Sequence, residues 1–352
     1  MKNKFDKNRK AFSLLELSIL IIVIAVIATG VLLNSVASVN SDKIKITNER
    51  IQKIYQALGN YLLVHGKLPC PAPINAIKLT SSSYGVAATE DGNCATTDGV
   101  YQSDVSGAEN LVYGMIPVKT LGLDSDFAED GYESKFDYII DKRFTNSSTF
   151  STANVNNSIS LSNSSCSMIK VTFREAILSD EYQNSCDDRA FFAIISHGSN
   201  KLGAFNANSA TINSASTNQD EIDNSATNFT DAATNSATFS ITKRLEASNT
   251  TNSGTKTYFN AIDDVVFFKS RDNMIKDFNA FSKIDCLANG YNSDDVVYGG
   301  TTMTWPQAKY GQIAVATNSC PTGYKGGVTK PTKKCGPLGI WQSGVVTTCN
   351  AG

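Results

Sequence analysis

The apolar residues fall into three regimes along the chain. From Leu17 to Val39 there are 23 residues without a charge, mostly Leu, Ile, Val and Ala. About 20 such residues suffice to cross a hydrocarbon core as a helix. Beyond it, Ile44, Ile51, Ile54, Leu58, Tyr61 and Leu62 recur at spacings of three, four and seven. That pattern predicts one apolar face of an amphipathic helix, with Asp42, Lys43, Lys45, Glu49, Arg50 and Lys53 on its other sides. Gly66 and Pro69 predict its end.

After residue 66 the pattern shortens. Leu111–Val118 and Phe136–Ile140 read as strands or strand-like turns, and Val171–Phe173, Ala190–Ile195 and Val265–Lys269 as strands bounded by turn formers. One long helix followed by separated strands predicts an α+β fold, with the helix packed on an antiparallel β-sheet head. Residues 145–165 and 206–256 are dominated by Asn, Ser, Thr and Ala and read as long exposed loops or irregular edge strands within a head spanning 67–276. Residues 277–352 differ in character and read as a small, disulfide-rich, mostly-β C-terminal module.

Charge changes the reading of the N-terminus. The 352 residues carry a net charge of −2, which does not point to nucleic acid as a partner. Residues 1–11, however, hold five basic residues and one acidic residue. Without them 26 basic and 32 acidic residues remain, a net charge of −6. A basic cluster before an apolar run holds that end on the cytoplasmic side of a membrane. An ordinary signal anchor fits this much, as does a secretory signal cut near Val36-Ala37-Ser38. Neither explains Glu16, a carboxylate at the edge of an apolar helix that is costly unless paired. Cleavage between Ala11 and Phe12 would create an α-amino group able to pair with Glu16 of a neighbouring subunit.

All eight cysteines lie beyond the apolar segment, with no C-x-x-C or His-rich cluster to suggest zinc. An even count on the exported side predicts disulfides. Proximity in sequence favours Cys70–Cys94 and Cys166–Cys186. Cys286, Cys320, Cys335 and Cys349 allow three pairings between them. No phosphate loop, dinucleotide fingerprint or HExxH motif is present, and the adjacent Ser196-His197 pair is not by itself a triad, so no enzyme is expected. His65 reads as a polar residue at a helix end. Asp124, Asp126, Glu129 and Asp130 read as a solvated turn.

Lys10-Ala11-Phe12-Ser13-Leu14-Leu15-Glu16-Leu17 closely resembles the processing site of type IV pilins and type II secretion pseudopilins. The family usually has Gly where this chain has Ala11. Further patches resemble landmarks of large pseudopilin-like proteins: Gly66–Pro71, Gly114–Leu123, Asp130-Gly131-Tyr132, Phe191–Asn200 and Asp263–Phe267. The resemblance implies a leader over 1–11, a membrane-spanning and filament-core helix over 12–39, and its amphipathic continuation over 40–66. It implies cleavage by a prepilin peptidase, N-methylation of Phe12 and subunit docking through Glu16. The implied partners are that peptidase and other pilin or pseudopilin subunits. The implied location is the inner membrane with a periplasmic head, then an envelope filament or the cell surface. By the same likeness Asn200 with Asp263 or Asp264 are the candidates for a calcium site.

The C-terminal module resembles sushi-like modules and the cysteine-rich tips of some minor pilins. The sushi likeness implies Cys286–Cys335 and Cys320–Cys349. Trp305, Tyr310, Tyr324 and Trp341 are candidates for contact with a surface partner, although Trp341 reads first as the core of a small disulfide-bonded fold. Two functions therefore stand open: a structural filament subunit, or a membrane-anchored surface binding protein that uses a pilin-like anchor.

Overall fold

The structure is a computed structural model. It describes residues 14–88, 94, 99–105, 109–147, 150, 169–176, 179–182, 190–225, 239–244, 251–253, 256–258, 263–288, 297–298, 301–324, 330–342 and 349. Helix α1 runs Leu14–His65, 52 residues, about 78 Å at 1.5 Å per residue. It ends where the pattern predicts. Gly66 takes a left-handed φ of 68°, and its N–H donates to the Leu62 carbonyl at 2.8 Å.

The second half of α1 packs on the head. Its contact stripe runs through Thr47, Ile51, Ile54, Leu58 and Leu62, all buried. Ile44, predicted to join that stripe, is exposed. The loop that closes the head there reaches the helix at Thr47, whose Oγ1 accepts from Gly131 N–H at 2.9 Å, and at Asn40, which accepts from the Tyr132 hydroxyl at 2.7 Å. Ile44 is left to one side of these contacts.

The head is a five-stranded antiparallel sheet in the order β1(Tyr101–Val105), β2(Glu109–Met115), β3(Asp137–Asp141), β6(Phe192–Ser196), β10(Val265–Lys269). The two central strands, β3 and β6, are buried along their whole length. On the helix-facing side, Tyr55 of α1 meets Phe267 at 5.1 Å and Phe192 at 6.3 Å between ring centroids. Phe144, Phe150 and Phe191 extend this core through edge-to-face contacts. Helix α3(Arg271–Asp277) follows β10, capped by the Ser270 hydroxyl, which accepts from Asn273 N–H at 3.3 Å.

A second, three-stranded sheet has the order β5(Ser179–Tyr182), β4(Ile169–Ala176), β7(Phe239–Arg244). Its β4–β7 pair is parallel, against the all-antiparallel expectation. A parallel pair needs a long crossover, and the chain supplies one by passing through β6 and the 197–238 segment first.

The 206–256 stretch, read from its composition as exposed loops or irregular edge strands, carries regular structure, with β7 at a sheet edge. It contains β7, the hairpin β8(Thr251–Ser253)–β9(Lys256–Tyr258) and the short helix α2(Gln219–Asp223). Asn218, Asp220, Glu221, Asn224 and Ser225 are buried. Polar side chains here act as caps and cross-links: Asn218 accepts from Asp220 N–H. The fully buried Lys135 donates to the Ser209 carbonyl at 3.0 Å and to the Ile74 carbonyl at 2.7 Å. The 145–165 stretch lies largely outside the described residues.

The described residues between 285 and 349 form the C-terminal module from short antiparallel strand pairs: β11(Asp285–Cys286) with β14(Ala308–Lys309), β12(Val297–Tyr298) with β13(Thr301–Thr302), and β15(Ile313–Val315) with β16(Thr332–Lys334). Disulfides join Cys286 to Cys335 and Cys320 to Cys349. In the head a disulfide joins Cys70 to Cys94. Cys166 and Cys186 lie outside the described residues.

Candidate functional site

Three places carry the residues nominated by the sequence. The first is the N-terminal half of α1. Ala11 and Phe12 lie outside the described residues. Glu16 falls in the first turn of α1, but its side chain is also outside them. From Leu17 to Ile24 the large aliphatic residues are 48–61% exposed. Among the described residues no helix is long and apolar enough to cross a membrane. The 23-residue span read from the sequence includes residues 25–38, whose side chains are not among those described.

The second place is the end of β6, where the chain turns at Gly198. Its φ is 60°, and a Cβ there would sit 2.2 Å from the Asp263 carbonyl oxygen, so the turn requires glycine. This close approach gathers a buried polar cluster from four segments. His197 is wholly enclosed; its Nε2 lies 2.8 Å from Asp137 Oδ2, and its Nδ1 lies 3.8 Å from Asp264 Oδ1. Neighbouring Ser196 donates its hydroxyl to Asp130 Oδ2 at 2.7 Å rather than to His197. Asp130 Oδ1 accepts from the N–H groups of Tyr132 and Ser134 at 2.8 and 2.9 Å. Asp130 and Glu129, read as part of a solvated turn, are thus buried. Glu129 accepts from the Tyr84 hydroxyl at 3.1 Å and pairs with Lys78 at 2.6 Å. Only Asp124 and Asp126 remain exposed.

Electrostatics follow from this packing. Burial alone pushes the His197 imidazole down. The carboxylates of Asp137, Asp264 and Asp130 outweigh it and hold His197 at about 9, as a cation. Burial raises Asp264 to about 7, opposed by the His197 charge and by the Asn224 amide, which donates to it at 2.9 Å.

The residues nominated for calcium come together here, with protein donors already on them. Asp263 Oδ2 accepts from the Ser199 hydroxyl at 2.7 Å and from Asn200 N–H at 2.8 Å. Asn200 donates its amide to Glu221 at 3.0 Å, and its Oδ1 accepts from Leu202 N–H. Among the described residues no group of three or more His, Cys, Asp or Glu is placed to hold a metal ion. The positive charge of this cluster comes from the chain itself, as His197. Sequence reasoning singled out Ser196, His197, Asp263 and Asp264 but not Asp137 or Glu221. No local signal marks those two, since 60 residues separate Asp137 from His197.

The third place is the C-terminal module. Trp341 is buried, and its Nε1–H donates to the Leu287 carbonyl at 3.0 Å. Trp305 is buried beneath the Lys333 ammonium, 5.4 Å from the ring centroid. Tyr324 is half-buried, so Tyr310 is the exposed member of the four nominated aromatics. His65 stacks on Tyr61 at 4.1 Å near the end of α1. No family model, curated protein or solved structure matches the chain.

Proposed function

We propose that the chain is a structural subunit of an envelope filament, a minor pilin or large pseudopilin of a pilus, competence or type II secretion machine. In this reading the N-terminal half of α1 first anchors it in the inner membrane and then packs among its copies in the filament core. One observation carries the reading: an apolar run, Leu17–Ile24, stands exposed on a continuous helix whose other half is locked into the head. Exposed apolar surface on this scale marks a membrane or protein partner. The prepilin-type motif around Ala11 and Phe12 adds a processing step that frees the Phe12 amine. That amine then pairs with Glu16 of a neighbour, which satisfies a carboxylate otherwise stranded in apolar surroundings. The role proposed is assembly rather than catalysis.

N-terminal sequencing and intact mass of the protein from cells with active prepilin peptidase test this. The expected mature chain begins at Phe12 with a methylated amine; a chain still beginning at Met1 overturns the reading. Glu16→Ala is expected to abolish incorporation into filaments while leaving the head folded.

A further inference from the structure

The β15–β16 strand pair of the C-terminal module leaves one face uncovered. Ile313 and Val315 are 55% and 51% exposed, while Ala314 between them is buried. Tyr310, 42% exposed, stands beside them across a tight turn. Lys334 lies opposite Ile313 in the strand register and so shares its face. Lys309 is exposed next to Tyr310, and Lys330 reaches the Thr317 carbonyl at 2.8 Å just beyond the strand pair. Among the described residues none of these three lysines forms a salt bridge.

The charge around this face is one-sided. Residues 301–352 contain five lysines and no Asp, Glu or Arg, whereas residues 12–300 carry 21 basic and 32 acidic residues. Tyr310 is the aromatic residue of this face, and its ring lies 5.5 Å from that of Phe281. Two exposed β-branched residues and a tyrosine, ringed by three lysines with Asp285 opposite Lys309 as the acidic neighbour, are the composition of an interfacial membrane contact. The apolar tips enter the boundary between headgroup and acyl chain, the phenol sits at headgroup depth, and the ammonium groups attract anionic lipid.

Position decides which membrane. The module joins the head near the C-terminal end of α1: Tyr310 N–H donates to the Ile284 carbonyl, and a Cβ at Gly66 would lie 3.7 Å from Lys283 Cδ. Ile24 and His65 are about 60 Å apart along the helix. A bilayer holding the N-terminal run therefore cannot also meet this face. We infer that the Tyr310–Ile313–Val315 face docks on an anionic lipid surface opposite the one that holds the N-terminal helix. This rests on the anchoring role proposed above only for its orientation.

The test uses the full chain, inserted from detergent into phosphatidylcholine vesicles and mixed with labelled acceptor vesicles. Acceptors containing phosphatidylglycerol are expected to be tethered and pure phosphatidylcholine acceptors are not, with the effect fading at high salt. Lys309→Gln and Lys334→Gln should each weaken tethering about fivefold, and Ile313→Ser with Val315→Ser about tenfold. Both tryptophans lie in the module, so unchanged tryptophan fluorescence certifies that these variants keep it folded. Absence of tethering, equal tethering of neutral acceptors, or clumping of protein-bearing vesicles without acceptors overturns the inference; the last would make a second copy the occupant. A chain that never enters the first vesicles overturns the anchor instead. Flotation of that soluble chain with phosphatidylglycerol vesicles, and the same variants, then reads the face directly.

Discussion

The head closes its core with large aromatic and aliphatic side chains: Phe144, Phe150, Phe191 and Phe192, the strand residues Ile139, Ile140, Ile194 and Ile195, and the α1 stripe. Among its described residues the module's buried apolar set is Met303, Trp305, three alanines, Trp341 and cystine sulfur. A core that small does not offset chain entropy by area alone, and two disulfides within about 65 residues supply the constraint. The head has enough apolar surface to tolerate a buried charge cluster around His197. The module buries a cation, Lys333, whose ammonium lies over the Trp305 ring. The lesson is that the two parts fail in different ways, and each failure can be provoked separately.

The largest effect is expected from His197→Ala. It strands Asp137 and Asp264 in the interior and should cost the head about 3–5 kcal/mol, the range for breaking a buried pair from one side. Helical circular dichroism during urea unfolding reads it, and unaltered tryptophan fluorescence shows the module spared. The native cluster also predicts the direction of the pH response. The His197 pKa is raised from 6.5 to about 9, so its contribution is complete below pH 6.5 and is lost as pH rises through about 9. Asp264, raised from 3.8 to about 7, acts in the same sense and weakens the head as pH rises through that range. A head midpoint that stays flat between pH 5 and pH 10, values chosen to bracket roughly these shifts, would refute this account.

A smaller effect, confined to the other part, is expected from replacing Cys286 and Cys335 together by alanine. Opening that loop should lower module stability by about 2–4 kcal/mol. It should change tryptophan emission and leave the helical signal intact. Simultaneous loss of both signals would mean that head and module form one cooperative unit. Smallest is Trp341→Phe, which keeps a ring in the module core and removes the donor to the Leu287 carbonyl. About 1 kcal/mol is expected, measured from the fluorescence of the remaining Trp305.

The helix, its stop at Gly66 and the strand positions β2, β3, β4, β6 and β10 were legible in the sequence. Each is written as a periodicity within a few adjacent residues. The α1 stripe was legible at Ile51, Ile54, Leu58 and Leu62 but not at its start, where Thr47 rather than Ile44 meets the head, because which position the head reaches is not a local property. Composition allowed an edge strand in the Asn- and Ser-rich 206–256 stretch, which β7 is, but gave no sign of its buried polar residues, for a related reason. Its polar side chains are the caps and cross-links of a folded segment, and only their partners, such as Asp264 for Asn224, reveal that.

The residues around His197 mark the boundary most clearly. The sequence by itself determined that a histidine follows a buried strand and that two aspartates precede another. Only the tertiary structure decided that β3 and β10 would flank β6, which brings Asp137 and Asp264 to opposite sides of one imidazole. Hydrophobic period and turn chemistry act over a few residues, whereas the charge state of a buried side chain depends on neighbours that the sheet order brings from 60 residues away or more.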